Sequence, residues 1–429
     1  MDDQEEVTPS CKSELSPLTE RPNKWRRSDY ILLILGSLIN FGDGIEIFLP
    51  GVITQRVSCE LGVDSVQEGI LGSVFYMTLS FSTILAGPLS DRFGRREVCL
   101  FSLYTSVLVS IFCAIVANFY TLLLSRALVG FTVGFNLVIH CVLISGKVSS
   151  KEVLIEMWLV IKIVYSLGGV WVSVLGYLIL EKLGWRVFVV LTSLPVFIPP
   201  IIILHFYISP EENYTELSKE EGCSEGVAEK EFELEMEDSK VIARTCKSAV
   251  FVATGIFQSW STILLLPSLV KLLNMEQGSK QGCDAITQGT EFLLLAFVAF
   301  AEVLGRFGFY LTNQKIRFRP MFVLLASLMT VSYIAMLLVH TLTVAVLTNF
   351  LVKFGVGMVM MQFACFNYHA DYYGTKWLAV CSSLSKGCGV LAGVAGVAMA
   401  SFAAPHVTVI TAMVLSVVQA CVVLTMTEI

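Results

Sequence analysis

Residues 70–117 read ILGSVFYMTLSFSTILAGPLSDRFGRREVCLFSLYTSVLVSIFCAIVA. Two apolar runs, 70–89 and 98–117, flank a short charged turn. Each is long enough to cross a hydrocarbon core of about 30 Å as a helix, which takes about 20 residues. Outward from this hairpin the pattern recurs, with expected spans at 31–53, 120–144, 158–180, 185–208, 248–271, 290–312, 320–340, 343–367, 377–402 and 405–426. The runs are too long and too uniformly apolar for the alternating strands of a membrane β-barrel. The expected fold is an all-α membrane bundle of twelve transmembrane helices.

Composition agrees. Hydrophobic residues make up 55% of the 429-residue chain and charged residues 15%, with a mean hydropathy of +0.74. A soluble domain carries about a quarter of its residues charged, so much of this surface must face lipid. A net charge of -6 argues against a nucleic-acid partner. The twelve Cys stand singly in apolar stretches, in neither a zinc spacing nor a small secreted disulfide framework. Cys59 and Cys283 are the two thiols expected in non-cytoplasmic loops, and they are a candidate pair. HExxH and GxxxxGKS strings are absent, so the sequence points to no enzyme, no ATP-driven pump and no cofactor.

Lys and Arg set the orientation, because positive loops stay cytoplasmic. With the N-terminus inside, nineteen fall in cytoplasmic segments and five on the other side, so both termini are expected in the cytoplasm. Four parts follow: a cytoplasmic tail (1–30), a first six-helix half (31–208), an acidic cytoplasmic linker (209–247) and a second six-helix half (248–429). Sliding one half by about 222 residues superimposes its spans on the other's, as in transporters built from two parallel repeats with a site between them.

Away from the span ends, five basic residues remain inside the spans: Arg126, Lys162, Arg306, Lys353 and Lys386. Three acids join them, Asp43 and Glu46 in the first span and Glu302 in the eighth. Each charge costs about 2.5–3.5 kcal/mol at a helix centre on insertion scales, so these eight are expected to face one another or a watery cavity.

The turn GPLSDRFGRR, 87–96, resembles the signature loop of the major facilitator superfamily. There Gly87 permits close helix approach, Asp91 sits at a helix end to pair with a basic partner across the half, and Gly94 turns the chain. Arg92, Arg95 and Arg96 hold the loop in the cytoplasm. A second similarity lies in SRALVGFTVGF of the fourth span, with Arg126, Gly130 and Gly134; the two glycines, four apart, suit tight packing. Within the superfamily INFGDGIEIFLPG, GWRVFVVLTSLP, ISPEE, AEVLGR and LSKGCGVLAG resemble the synaptic vesicle glycoprotein 2 group and its transporter-like relatives, near the organic-ion transporters. The resemblance covers most of 28–426. It differs at the cytoplasmic loops, where Lys147, Leu154, Ile155, Asn313, Ile316, Asp371 and Gly374 replace the usual residues.

The resemblance implies a secondary transporter with alternating access, and the buried charges suggest its parts. Asp43 and Glu46 are three apart on one helix face, and two carboxylates so close inside a membrane favour holding a proton. They are candidates for proton coupling, with substrate contact or pairing to a basic residue as alternatives. Arg126 is expected to couple or to hold the first half together. Arg306, four residues from Glu302, either pairs with it along the helix or joins Lys353 and Lys386 in a cationic second half facing an anionic first half. Such groups bind carboxylates well, which favours a small organic anion. Lys386 is the foremost candidate, since the resembling proteins place a basic residue there. Lys162, Tyr165 and Glu302 are further cavity candidates, with Trp260, Tyr368, Phe257 and Trp171 as aromatic walls. The expected partners are a small organic ion, protons and the lipid bilayer of a plasma or vesicle membrane, for a monomer. An organic cation carrier, and a membrane-resident binding or trafficking protein with little or no transport, remain as alternatives.

Overall fold

The computed structural model describes residues 25–116, 118–148, 151–208, 238–276, 290–313, 318–338, 341–367, 378–402 and 405–425. Every regular element among them is helical. The first six helices are α1 (Arg27–Leu61), α2 (Ser65–Phe93), α3 (Arg95–Ala114), α4 (Phe119–Ser145), α5 (Lys151–Leu175) and α6 (Glu181–Phe206). The last six are α7 (Asp238–Glu276), α8 (Thr290–Asn313), α9 (Phe318–Leu338), α10 (Leu342–Asn367), α11 (Leu378–Phe402) and α12 (Pro405–Thr425). Ten stretches of the described residues are long and apolar enough to span a membrane, one of which, 152–206, runs through both α5 and α6. The chain is a multi-pass, all-α membrane protein. Tyr368, Asp371, Gly374, Cys283 and residues 209–237 lie outside the described residues.

Local chemistry sets the helix ends. Asp64 caps α2 by accepting the Gln67 N–H at 2.7 Å, and Asn118 caps α4 by accepting the Thr121 N–H at 3.0 Å. α7 begins at Asp238, inside the stretch expected as linker, so the acidic segment runs directly into a helix. α1 likewise runs to Leu61, beyond the expected end at 53, because its 35 residues exceed what the hydrocarbon core needs.

The packing repeats. α1 lies against α5, α2 against α4 and α3 against α6; in the second set α7 lies against α11, α8 against α10 and α9 against α12. The sets meet along two equivalent seams, α2 with α11 and α5 with α8. That is the arrangement expected when one six-helix unit is used twice about a two-fold axis along the membrane normal. Large apolar side chains such as Phe81, Leu108, Leu124, Val187 and Leu324 point outward and are exposed. A soluble fold would bury them; here they form the surface that lipid covers.

The signature turn is a helix–turn–helix corner. α2 ends at Phe93, Gly94 takes φ 90°, a conformation that side chains rarely adopt, and α3 starts at Arg95. Asp91 pairs with Arg95 at 3.8 Å. Arg96 reaches the C-terminus of α6, donating to the carbonyls of Leu204 (3.2 Å) and Ile208 (2.7 Å), which the helix leaves unsatisfied. Arg92 stays at the surface over the Phe93 ring, and buried Gly87 accepts a bond from Ser90. At the opposite end, Trp185 donates to Glu60 at 2.8 Å while Arg186 pairs with Glu60 and donates to the Val116 carbonyl at 3.1 Å. These contacts tie α3 to α6 at one end and α1 to α6 at the other. Cys59, near the end of α1, is disulfide-bonded.

α4 approaches α2 most closely at its glycines. A Cβ on Gly130 would run into the Phe75 carbonyl and Thr78, and one on Gly134 into Ser82 and the Leu79 carbonyl. Gly130→Val is expected to destabilise the protein by at least about 1–3 kcal/mol through overpacking. Leu124→Val on the exposed face of the same helix should stay within about 0.5 kcal/mol of the parent. Thermal unfolding of the purified protein in nanodiscs measures both.

Candidate functional site

Between the two helix sets lies a cavity of about 70 Å³. Its walls include Lys162 and Tyr165 of α5, Trp260 of α7, Glu302 and Arg306 of α8, and Lys386 of α11. These residues lie far apart in sequence. They meet because α5 packs on α8 and α11 on α2 along the two seams.

Cations of the second set reach across to the first. Lys386 donates to the Leu137 carbonyl on α4 at 2.8 Å, and Arg306 donates to the Lys162 carbonyl on α5. Ser80 of α2 adds a bond to the Gly387 carbonyl at 3.2 Å, and the rings of Tyr76 and Trp260 lie 4.6 Å apart across the seam. Arg306 also pairs with Glu302 one turn away and lies over the Tyr165 ring, 5.0 Å from its centre. Glu302 holds Lys353 at 3.3 Å, and Lys353 donates to Ser259 at 2.9 Å. Lys353 therefore sits behind the cavity wall, while Arg306 pairs with Glu302 and also lines the cavity with Lys386; the first half presents Lys162 there, not the expected anionic face, because Asp43 and Glu46 are not among the lining residues.

The acids of α1 part company. Glu46 pairs with Arg126 of α4 at 3.5 Å and accepts a bond from Ser193 of α6. Asp43 is fully buried, and neither of its carboxylate oxygens has a hydrogen-bond partner. Lys386, Lys162 and Glu46 are the charged groups that bear on it, with the Asn136 side chain close by. The two residues share a helix face, as their spacing requires, but only Glu46 has a direct ionic partner within hydrogen-bond reach. Trp171 turns outward against Phe41 and is half exposed, and Phe257 packs in the core beside Gly396; neither lines the cavity.

A further polar group adjoins the cavity through Lys162. Asn40 of α1 and His140 of α4 are fully buried and bonded to each other, and Lys162 donates to Asn40 Oδ1 at 3.0 Å. A count of charges passes over both, because neither Asn nor neutral His registers in it. The spacing of Asn136 and His140, four apart in an apolar span, was the available signal.

Buried pairs are costly to break on one side, by about 3–5 kcal/mol, because the surviving charge is left in a medium that cannot solvate it. Glu46→Gln and Arg126→Met are each expected to destabilise the protein by about that amount. The double variant should lose clearly less than the sum, since it removes both charges. Thermal unfolding of the four proteins gives the coupling directly.

Comparison with known proteins places this geometry. The sequence model of the Major Facilitator Superfamily matches residues 32–397. The Caenorhabditis elegans protein svop-1 is 29% identical over 168 residues, 38% of this chain and 31% of that protein. The Xenopus laevis synaptic vesicle 2-related protein is 27% identical over 190 residues, 44% of this chain and 33% of its own length. The synaptic vesicle glycoprotein 2A of Rattus norvegicus is 26% identical over 160 residues, 37% and 21% of the respective chains. These matches span no more than a third of each relative. With the family match running through eleven of its twelve helices, the chain belongs to the Major Facilitator Superfamily.

Proposed function

We propose that the protein is a secondary carrier that moves a small organic anion across a membrane by alternating access, driven by protons. One observation carries the choice of anion. Lys162, Arg306 and Lys386 converge on the cavity from three helices, whereas Glu302, the one carboxylate among the described lining residues, is already bridged by Arg306 and Lys353. Across the spans five basic residues stand against three acids, an excess of buried positive charge that an anionic substrate would offset.

The same residues suggest how binding and movement are linked. Lys386 and Arg306 hold the two helix sets together through backbone carbonyls, which are neutral acceptors. A substrate carboxylate makes a stronger, charge-assisted bond. It would draw both cations away from Leu137 and Lys162, loosening the seams so that the sets, residues 31–208 and 248–429, rock about the filled site. Tyr165 and Trp260 supply the aromatic walls, and Lys353 keeps Glu302 from competing with the substrate. Asp43 is the coupling group: a proton there removes its attraction for Lys162 and Lys386 and frees their charge for the anion. Glu46 serves with Arg126 to hold α1 on α4. Both termini are assigned to the cytoplasm, and the carrier to a plasma or vesicle membrane as a monomer.

A cation carrier is the second reading, favoured by the unpartnered carboxylate of Asp43. Proteoliposome uptake of radiolabelled small mono- and dicarboxylates and amines separates the two. Carboxylate uptake is expected to rise as the outer solution is made more acidic than the lumen. Lys386→Ala should raise KM at least about tenfold, the loss of one charge-assisted contact. Asp43→Asn should abolish the response to the gradient while sparing carboxylate exchange. Flux of amines that survives Lys386→Ala but not Asp43→Asn would favour the cation carrier. No flux of either class would leave a binding protein.

A further inference from the structure

His140 has no part in the mechanism above, yet it is fully buried in the last two turns of α4, bonded to the amide that holds a cavity lysine. Its bonding fixes its state. Nδ1 meets the backbone carbonyl of Asn136. A carbonyl only accepts, so Nδ1 carries a proton. In the neutral ring Nε2 is then an acceptor, and it meets Nδ2 of Asn40 on α1. The second N–H of that amide goes to the Gly36 carbonyl at 3.0 Å. With both amide hydrogens committed, Asn40 Oδ1 is turned toward α5, where it accepts from Lys162 Nζ at 3.0 Å.

We infer that His140 is a positioning residue for the cavity: through the amide of Asn40, its Nδ1–H neutral form sets where the Lys162 ammonium stands. The opposite ring state conflicts with the surroundings. A proton on Nε2 would confront the Asn40 N–H with another donor, and the amide would have to turn over. Its NH2 group would then face the Lys162 ammonium, donor against donor, and push it off its seat beside the Trp158 ring, 5.3 Å away. Lys162 of α5 and Lys386 of α11 are the charged groups that bear on the ring. Trp158 of α5 lies across it, and Cys141 of its own helix lies 3.2 Å from Nε2. A chain of three side chains on three helices thus links a ring the substrate never touches to a cation that it would.

The importance of Lys162 to the substrate rests on the proposed anion carrier, but the relay itself can be tested without transport. The full-length protein, labelled with 15N-histidine and placed in nanodiscs, has five His, and His140→Gln identifies the resonances of His140 by their loss. At neutral pH the expected signature is a protonated Nδ1 with a bare Nε2. Lys162→Met should shift the Nε2 resonance, because Asn40 loses the partner that orients it. Lys353→Met, which touches Glu302 and Ser259 instead, should leave it in place. An imidazolium, an Nε2–H ring, or indifference to Lys162→Met overturns the inference. A second measurement guards against a purely structural effect. The Tm loss from Lys162→Met is expected to fall at least about twofold in the His140→Leu background, the mark of coupled residues. It should be retained with His140→Gln, whose Oε1 keeps the acceptor. Equal behaviour of Leu and Gln also overturns it. If the relay holds but no carboxylate is carried, it is the transport reading that falls.

Discussion

The structure depends on one constraint: an ion in hydrocarbon must be given a partner by the protein itself, since neither water nor lipid will supply one. Eight charged residues stand within the spans, and their partners decide how the helices are arranged. Arg126 with Glu46 binds α4 to α1, with Ser193 of α6 completing the cluster. Glu302 with Arg306 and Lys353 binds α8 to α10. Each six-helix set is therefore locked internally by a carboxylate against a cation. The close approach of α4 to α2, at Gly130 and Gly134, lies along the same helix as Arg126.

Between the sets the bonds are of another kind. Lys386 and Arg306 cross the seams to backbone carbonyls, and Ser80 crosses to another. Hydrogen bonds from charged donors to neutral acceptors contribute about 1.5–3 kcal/mol each, less than a buried ion pair loses when it is broken. Strong bonds within each set and weaker ones between them suit the proposed carrier, in which the two sets would part and rejoin. The cavity lies at that junction, where the weaker contacts are.

Much of this was legible in the sequence. The paired apolar runs around GPLSDRFGRR predict the helical hairpin, and the structure adds only that Gly94 makes the corner with a positive φ. The tally of buried charge finds Lys162, Glu302, Arg306 and Lys386, all of which line the cavity. It does not separate them from Lys353, which lies one layer behind, because helix spacing gives a face but not the depth of the neighbour on that face. His140 and Asn40 escaped for a different reason. A polar group without charge carries little weight in hydropathy, and its meaning comes from the partner it meets.

The sequence by itself determined that the chain lives in a membrane, where its helices run, and that it carries more buried bases than acids. These follow from transfer energies that are properties of single residues and short windows. Only the tertiary structure decided that Glu46 pairs with Arg126 while Asp43 lacks a hydrogen bond, that Lys386 and Arg306 end on carbonyls of the opposite set, and that His140 reaches Lys162 through Asn40. The physical reason is that the energy of a buried polar group depends on the few ångströms around it. Those ångströms are filled by helices far away in sequence, so the pairing is set by how the two six-helix sets close on each other.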